Sequence, residues 1–304
     1  MHQQTDLRDK TGWVNVAFIG LGTMGYAMAG HLQRHGLNTT VYNRSAEKAQ
    51  AWVAEYGGSS ADTPAGAATQ AHCVCLCVGN DDDVRAVVYG DSGVLASMPA
   101  GSILVDHTTA SAELARELAN ACTAKGIDFI DAPVSGGQAG AQTGQLAIMV
   151  GGESSVFDQV RPIIGIYAKS CKLMGPVGAG QLTKMVNQIC IAGIVQGLSE
   201  ALNFAQLAQL NIDDVIEVIS KGAAQSWQME NRYKTMAAGE FDFGFAVDWM
   251  RKDLAIALNT ADTYGASLPL TALVNQFYGD VQNMKGGRWD TSSLIQRLRQ
   301  LKND

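Results

Sequence analysis

Short apolar runs alternate with amphipathic stretches through the first half of the chain, and past residue 176 the alternation gives way to long helical periods. Val14 to Ile19 reads as a buried strand that flows into Gly20-Leu21-Gly22-Thr23-Met24-Gly25, followed by a helix over Tyr26 to His35 and a second strand over Leu37 to Tyr42. A helix beginning near Ser45 carries Ala46, Ala49, Trp52 and Val53, and a short strand lies near Ser59. Cys73 to Val78 is the next buried strand. It ends in Gly79-Asn80, with Asp81, Asp82 and Asp83 opening a helix where acids complement the dipole. Ile103 to Asp106 runs into His107-Thr108-Thr109 and a helix from about Ser111 to Lys125. Asp128 to Asp131 leads to Pro133-Val134-Ser135-Gly136-Gly137, and Leu146 to Val150 gives a further strand. Strand and helix alternating through short links predict an α/β fold, a mainly parallel, doubly wound sheet of the Rossmann type over residues 1–176.

The remainder, 177–304, is expected to be an all-α domain. Leu182 to Leu210 is one long proline-lacking helical stretch, followed by helical segments near 212–221, 225–238, 246–264 and 269–284. A last helix follows the cap candidates Asp290-Thr291-Ser292-Ser293. Ligands of open parallel sheets bind at the carboxyl ends of the strands, so the active site is expected where the long helix faces a cofactor held there.

Chemistry enters with the first turn. In a Gly-x-Gly-x-x-Gly turn after a strand, the first glycine makes the bend and the second lets backbone approach a pyrophosphate. The third allows the helix to pack on the strand with its N-terminus toward the phosphates. The pattern alone is weak; its place within a strand–helix–strand unit makes it a dinucleotide site through Gly20, Leu21, Gly22, Thr23, Met24 and Gly25. After the second strand an NAD site would usually place an acid on the ribose 2′-hydroxyl, but here Asn43-Arg44 stand. A guanidinium suits a 2′-phosphate, so NADP(H) is the favoured cofactor with NAD(H) possible, although a solvated surface arginine would look the same.

Composition narrows the class. Of 304 residues, 47% are hydrophobic and 17% charged, enough for well-filled cores rather than disorder. The formal charge of −7 with no basic stripe argues against a nucleic-acid partner. The N-terminal dozen residues lack the apolar core of a signal peptide, and no uninterrupted apolar run reaches membrane-spanning length, so a cytoplasmic protein with no membrane partner is expected. Cys73, Cys75 and Cys77 alternate on one strand face without histidine partners, which reads as buried thiols rather than a metal site.

Several dehydrogenase chemistries are excluded by residue type. The five histidines (His2, His31, His35, His72, His107) all lie in the first half, which removes support for a histidine base on a second domain. No tyrosine is followed by lysine four residues on, and no His-Glu-x-x-His occurs. Lys184 is the best remaining proton donor. Asn187 and Gln188 follow at helical spacing, and Leu182, Met185, Val186 and Ile189 would partly desolvate the ammonium and lower its pKa. By spacing alone, a lysine on a solvated helix face fits as well. Phe241, Phe243, Phe245 and Trp249 read as core or subunit interface, and Trp227 with Gln228 as a speculative pocket wall.

Gly20-Leu-Gly-Thr-Met-Gly25, Asp131-Ala-Pro-Val-Ser-Gly-Gly137, Gly178-Ala-Gly-Gln-Leu-Thr-Lys184-Met-Val-Asn187 and Lys252-Asp253 together resemble the four signature blocks of the β-hydroxyacid dehydrogenase family. That family includes 3-hydroxyisobutyrate dehydrogenase, tartronate semialdehyde reductase and the glyoxylate/succinic semialdehyde reductases. The resemblance implies a hydride transfer with Lys184 as the catalytic acid and base. It implies that Ser135, Gly136 and Gly137 hold the substrate carboxylate, that Asn187 binds substrate, and that Lys252 lies at the nicotinamide end. Val78 and Gly79 match the family's Leu-Pro pair against the dinucleotide, and Thr109 its cofactor-binding threonine. Gly79 in place of proline and Gln188 in place of a second asparagine are departures that bear on substrate. Family members of this kind are homodimers or homotetramers, so an oligomer is expected, its long apolar helix covered by a partner. An imine reductase and a non-catalytic dinucleotide-binding module are the rival readings; the first usually lacks this lysine and the second predicts its replacement.

Overall fold

A computed structural model describes residues 12–300. The expectation about the N-terminal residues falls almost wholly on 1–11, outside the described range. The chain divides into two compact units, one ending at Lys184 and the other beginning at Met185.

The first unit is the expected mainly parallel sheet. Strands β1 (Asn15–Ile19), β2 (Asn38–Tyr42), β3 (Ser59–Ser60), β4 (Cys73–Leu76), β5 (Ile103–Asp106) and β6 (Asp128–Asp131) lie in the order β3-β2-β1-β4-β5-β6, all parallel. Beyond β6 the sheet turns mixed. β8 (Leu146–Gly151) runs antiparallel to β6 and to the short β7 (Val134–Ser135), and β9 (Ala168–Gly175) runs parallel to β8. Strand order reverses direction about β1 and β4, the place where this fold class opens its crevice.

Period-2 alternation explains why the central strands β1, β4 and β5 are almost wholly apolar. Val16, Phe18, Cys73, Cys75, Ile103 and Val105 face one core, with helices α1 (Gly25–Arg34) and α2 (Ala46–Tyr56) over it. Ala17, Ile19, Val74, Leu76 and Leu104 face the other, under α3 (Pro64–Ala68), α4 (Asp81–Val88) and α5 (Ala112–Thr123). With both faces covered, both register positions are apolar over residues 16–19, 73–76 and 103–105. Cys73 and Cys75 are buried and Cys77, just past the strand, packs against the same core. Helices α6 (Gly137–Thr143) and α7 (Ser154–Ile164) complete the unit up to the start of α8 (Ala179–Leu207).

In the second unit, the later turns of α8 pack with α9 (Ile212–Ile219), α10 (Trp227–Ala238), α11 (Val247–Tyr264), α12 (Pro269–Asn283) and α13 (Leu294–Gln300). Ala192, Val195, Met250, Leu254, Val274 and Tyr278 form one core, and Leu198, Leu202, Met229, Met236 and Phe241 another. Within the aromatic cluster Phe241 is buried, Phe243 and Phe245 half-buried, and Trp249 exposed. Among the described residues α8 is the helix long and apolar enough to cross a membrane by length and composition. Gln181, Lys184, Gln188 and Gln196 interrupt it, all buried.

Candidate active site

The glycine turn has the geometry its spacing predicts. A Cβ on Gly20, whose φ is +99°, would strike the Cys77 carbonyl, and one on Gly25 would strike the Gly20 carbonyl and the Phe18 ring. These two glycines are needed for the turn and for packing α1 on β1. Gly22 differs: a Cβ there would meet no atom within 4 Å, and its backbone is exposed. The start of α1 has no side-chain cap and no acid in its first turn, so its N–H groups and partial positive charge suit a phosphate.

Asn43 contributes more than sequence reading assigned to it. Its Oδ1 accepts the Leu21 N–H at 2.9 Å and its Nδ2 donates to the Ser45 carbonyl at 3.1 Å, joining the β2 exit to the glycine turn. Arg44 follows with its side chain 91% exposed, 3.7 Å from the Asp83 carboxylate.

At the ends of β4 and β5 the backbone is held by buried side chains. The Val78 N–H donates to the Thr108 hydroxyl at 3.1 Å, and the Thr108 N–H to Asp106 Oδ1 at 2.9 Å. Val78, Gly79 and Thr109 are half-buried beside these bonds. Burial pushes the Asp106 carboxyl up to about 6 despite its bonds to Thr108. His107 is fully enclosed: Nδ1 lies 2.7 Å from the Ala132 carbonyl and Nε2 2.9 Å from the Tyr167 hydroxyl. A carbonyl only accepts, so Nδ1 carries a proton, and Nε2 shares the second bond with the Tyr167 hydroxyl. The hydroxyl also lies 3.9 Å from Cys75 Sγ, which sits 3.9 Å from Cys73 Sγ, so these thiols belong to a packed interior chain.

β6 ends in Asp131, whose carboxylate is buried against the beginning of α8. Oδ1 accepts the Gly178 N–H at 2.7 Å and Oδ2 the Gln181 N–H at 2.8 Å. Burial outweighs these bonds and pushes this carboxyl also up to about 6. From Asp131 the chain passes through Pro133 to Ser135, half-buried, and to exposed Gly136 and Gly137, whose φ values of +133° and +61° shape the turn into α6. Lys184 lies in the next turn of α8 after Gln181. It is only 7% exposed, which removes the solvated-face alternative.

In the second unit Asn187, Gln188, Asp253 and Lys252 form one connected chain. Asn187 Nδ2 donates to Gln188 Oε1 at 2.8 Å, and Gln188 Nε2 donates to Asp253 Oδ2 at 2.6 Å. Asp253 Oδ1 lies 3.1 Å from Lys252 Nζ. The departure at position 188 thus has a use, because the longer amide spans from Asn187 to the buried acid on α11. Asp131, Asn43 and Asp253 were within reach of sequence reading: each is a polar residue adjoining an apolar run or a signature block.

Two family models match the chain. One, described as the NAD binding domain of 6-phosphogluconate dehydrogenase, matches residues 15–175. The other, described as NAD-binding of NADP-dependent 3-hydroxyisobutyrate dehydrogenase, matches residues 178–298. The chain belongs to the β-hydroxyacid dehydrogenase family. This dehydrogenase is 63% identical to an uncharacterized oxidoreductase of Shewanella frigidimarina, over 93% of its own length and 97% of the relative's. It is 32% identical to 2-hydroxy-3-oxopropionate reductase of Escherichia coli, over 95% of this chain and 99% of that one. Among solved structures it is similar to Psf3 in complex with NADP+ and 2-OPP, with 26% identity, a TM-score of 0.86 and coverage of 93% and 99%. The expected fold class and family are borne out, and the family's NAD(P)-dependent hydroxyacid dehydrogenase activity is the activity of this enzyme.

Proposed function

We propose that this dehydrogenase transfers hydride reversibly between NADP(H) and a small β-hydroxyacid or its semialdehyde, of the 3-hydroxyisobutyrate, tartronate semialdehyde, succinic semialdehyde or glyoxylate type. The observation that carries this reading is a buried lysine set one turn into a helix whose start is bonded to the end of β6, the strand that leads to Ser135-Gly136-Gly137. The nicotinamide supplies the hydride. Lys184 gives its proton to the carbonyl oxygen in reduction and takes it back in oxidation. The Ser135 hydroxyl and the Gly136 and Gly137 backbone hold the substrate carboxylate, and Asn187, its amide oriented by Gln188, binds substrate one turn beyond Lys184. Arg44, at the turn that Asn43 bonds to the glycine loop, pairs with the 2′-phosphate; its guanidinium is exposed, and its 3.7 Å ion pair with Asp83 lies at the surface.

The proposed quaternary partner is a second copy of this chain. Val186, Ile194, Phe204 and Leu207 are exposed along α8, and Leu270 and Leu273 are exposed on α12. So much apolar helical surface supports association.

The test is a panel of short aldehyde acids and β-hydroxyacids with both cofactors, on the wild type and Arg44→Asp. The reading expects turnover with NADPH favoured over NADH, and a loss of that preference of roughly 10-fold or more in the variant, since a carboxylate repels the 2′-phosphate that a guanidinium attracts. Unchanged NADPH preference would overturn the cofactor assignment, and turnover of cyclic imines in place of the acids would overturn the substrate class.

A further inference from the structure

We propose that Gln181 is a positioning residue that locks the Thr109 segment to the helix carrying Lys184. The proposal rests on the reaction assigned above. Gln181 is 1% exposed, and its carboxamide makes two opposed hydrogen bonds on either side of Thr109. Its Oε1 accepts the Ala110 N–H at 3.1 Å and its Nε2 donates to the Thr108 carbonyl at 2.7 Å. An N–H can only donate and a carbonyl can only accept, so the amide has one possible orientation, and a carboxylate, which only accepts, cannot satisfy both partners.

The same residue's backbone N–H is bonded to Asp131. Gln181 is therefore fixed at once to the end of β5, through Thr108 and Ala110, and to the end of β6, through Asp131. Lys184 lies three residues further along the helix, on the same side. Thr108 in turn holds the exit of β4 through its hydroxyl. The distance between a cofactor bound at Thr109 and the ammonium of Lys184 is thus set by one buried amide. It touches no reacting atom; it acts through the two segments it joins.

The test uses Gln181→Met, similar in length without the bonding, and Gln181→Glu. Amide hydrogen exchange over residues 107–112 reads the latch without any turnover, and single-turnover oxidation of NADPH deuterated at C4 reads the chemistry. In Gln181→Met the Ala110 amide should lose protection by roughly 10-fold or more, as a local opening no longer breaks these bonds. Hydride transfer should slow by about 10–100-fold, the size expected of an ångström-scale misplacement. NADPH affinity should stay within about threefold, because the glycine turn is untouched. In Gln181→Glu a protonated carboxyl can donate to Thr108 and accept from Ala110, whereas a carboxylate sets an oxygen against the Thr108 carbonyl. Its rate relative to wild type should therefore recover as pH falls, a response that loss of fold alone would not give.

Unchanged exchange at Ala110, or wild-type hydride transfer in Gln181→Met, overturns the proposal. If the wild type itself fails to oxidise NADPH with any panel substrate, the assigned reaction falls and the positioning role falls with it. Failure of Gln181→Met to slow an active wild type sinks the positioning role alone.

Discussion

Two helices in the first unit begin in glycine-rich turns, and they use the partial positive charge at their starts in opposite ways. The start of α1 has no side-chain cap, no acid in its first turn and open space at Gly22. The start of α8 is filled by a residue of the chain itself: the Asp131 carboxylate accepts the Gly178 and Gln181 N–H groups. Gly180 permits that approach, since a Cβ there would collide with the Met149 carbonyl and come within 2.8 Å of the Asp131 carboxylate. One helix start is open to an anion from outside, and the other is anchored by an anion from inside. The first start is open and the second is fixed, and the proposed function gives the pyrophosphate to α1 and the proton transfer to Lys184 on the anchored helix.

The largest effect that could break this contrast is on the glycines themselves. Gly25→Ala should cost about 3 kcal/mol or more of stability, because its methyl meets the Gly20 carbonyl and the Phe18 ring in a packed core. Gly22→Ala should leave the thermal midpoint nearly unchanged, within about 0.5 kcal/mol, as an open surface position. It should still weaken NADPH binding by about 10-fold, since the second glycine of the turn is where backbone meets the pyrophosphate. Equal affinity in Gly22→Ala would mean that α1 does not hold the phosphates.

A smaller effect distinguishes the internal anion. Asp131 is pushed up to about 6 by burial, above its ordinary 3.8. Between these values the folded chain keeps a proton that the unfolded chain has released. The contribution of this carboxyl to stability is complete below about pH 4 and is lost as pH rises through 6. Its share is at most about 3 kcal/mol, since each tenfold change in proton affinity is worth about 1.4 kcal/mol. Denaturation of the wild type and Asp131→Asn across this window should therefore show a wild type that loses stability relative to the variant as pH rises. Parallel profiles would contradict the assignment.

The parts of the fold that were legible are those governed by local period. β1, α1, β2, β4 and β5 show in the alternation and the glycines, and the second-unit helices in their apolar spacing. α7 was not legible because Pro162 sits inside it, nor was α6, a short helix of glycine, alanine and polar residues with no apolar stripe. β9 carries Lys169, Ser170 and Lys172 on a strand with one pairing neighbour, so its pattern reads as a loop. In the site, the lysine and the glycine turn were legible because their chemistry needs particular residue types. The contacts that place them were not. Asp131 meets its partners 47 and 50 residues away, and Gln181 meets Thr108 at a separation of 73, distances over which spacing carries no signal.

The central claim is that Lys184 supplies the proton for a hydride transfer to a substrate carbonyl. The most direct measurement is single-turnover oxidation of bound NADPH by an accepted aldehyde acid, in the wild type and in Lys184→Ala, alongside the NADPH affinity of each. The account predicts unchanged affinity and hydride transfer slowed by about 10²–10⁴-fold, the usual loss on removing a general acid. Near-normal transfer in Lys184→Ala would contradict it.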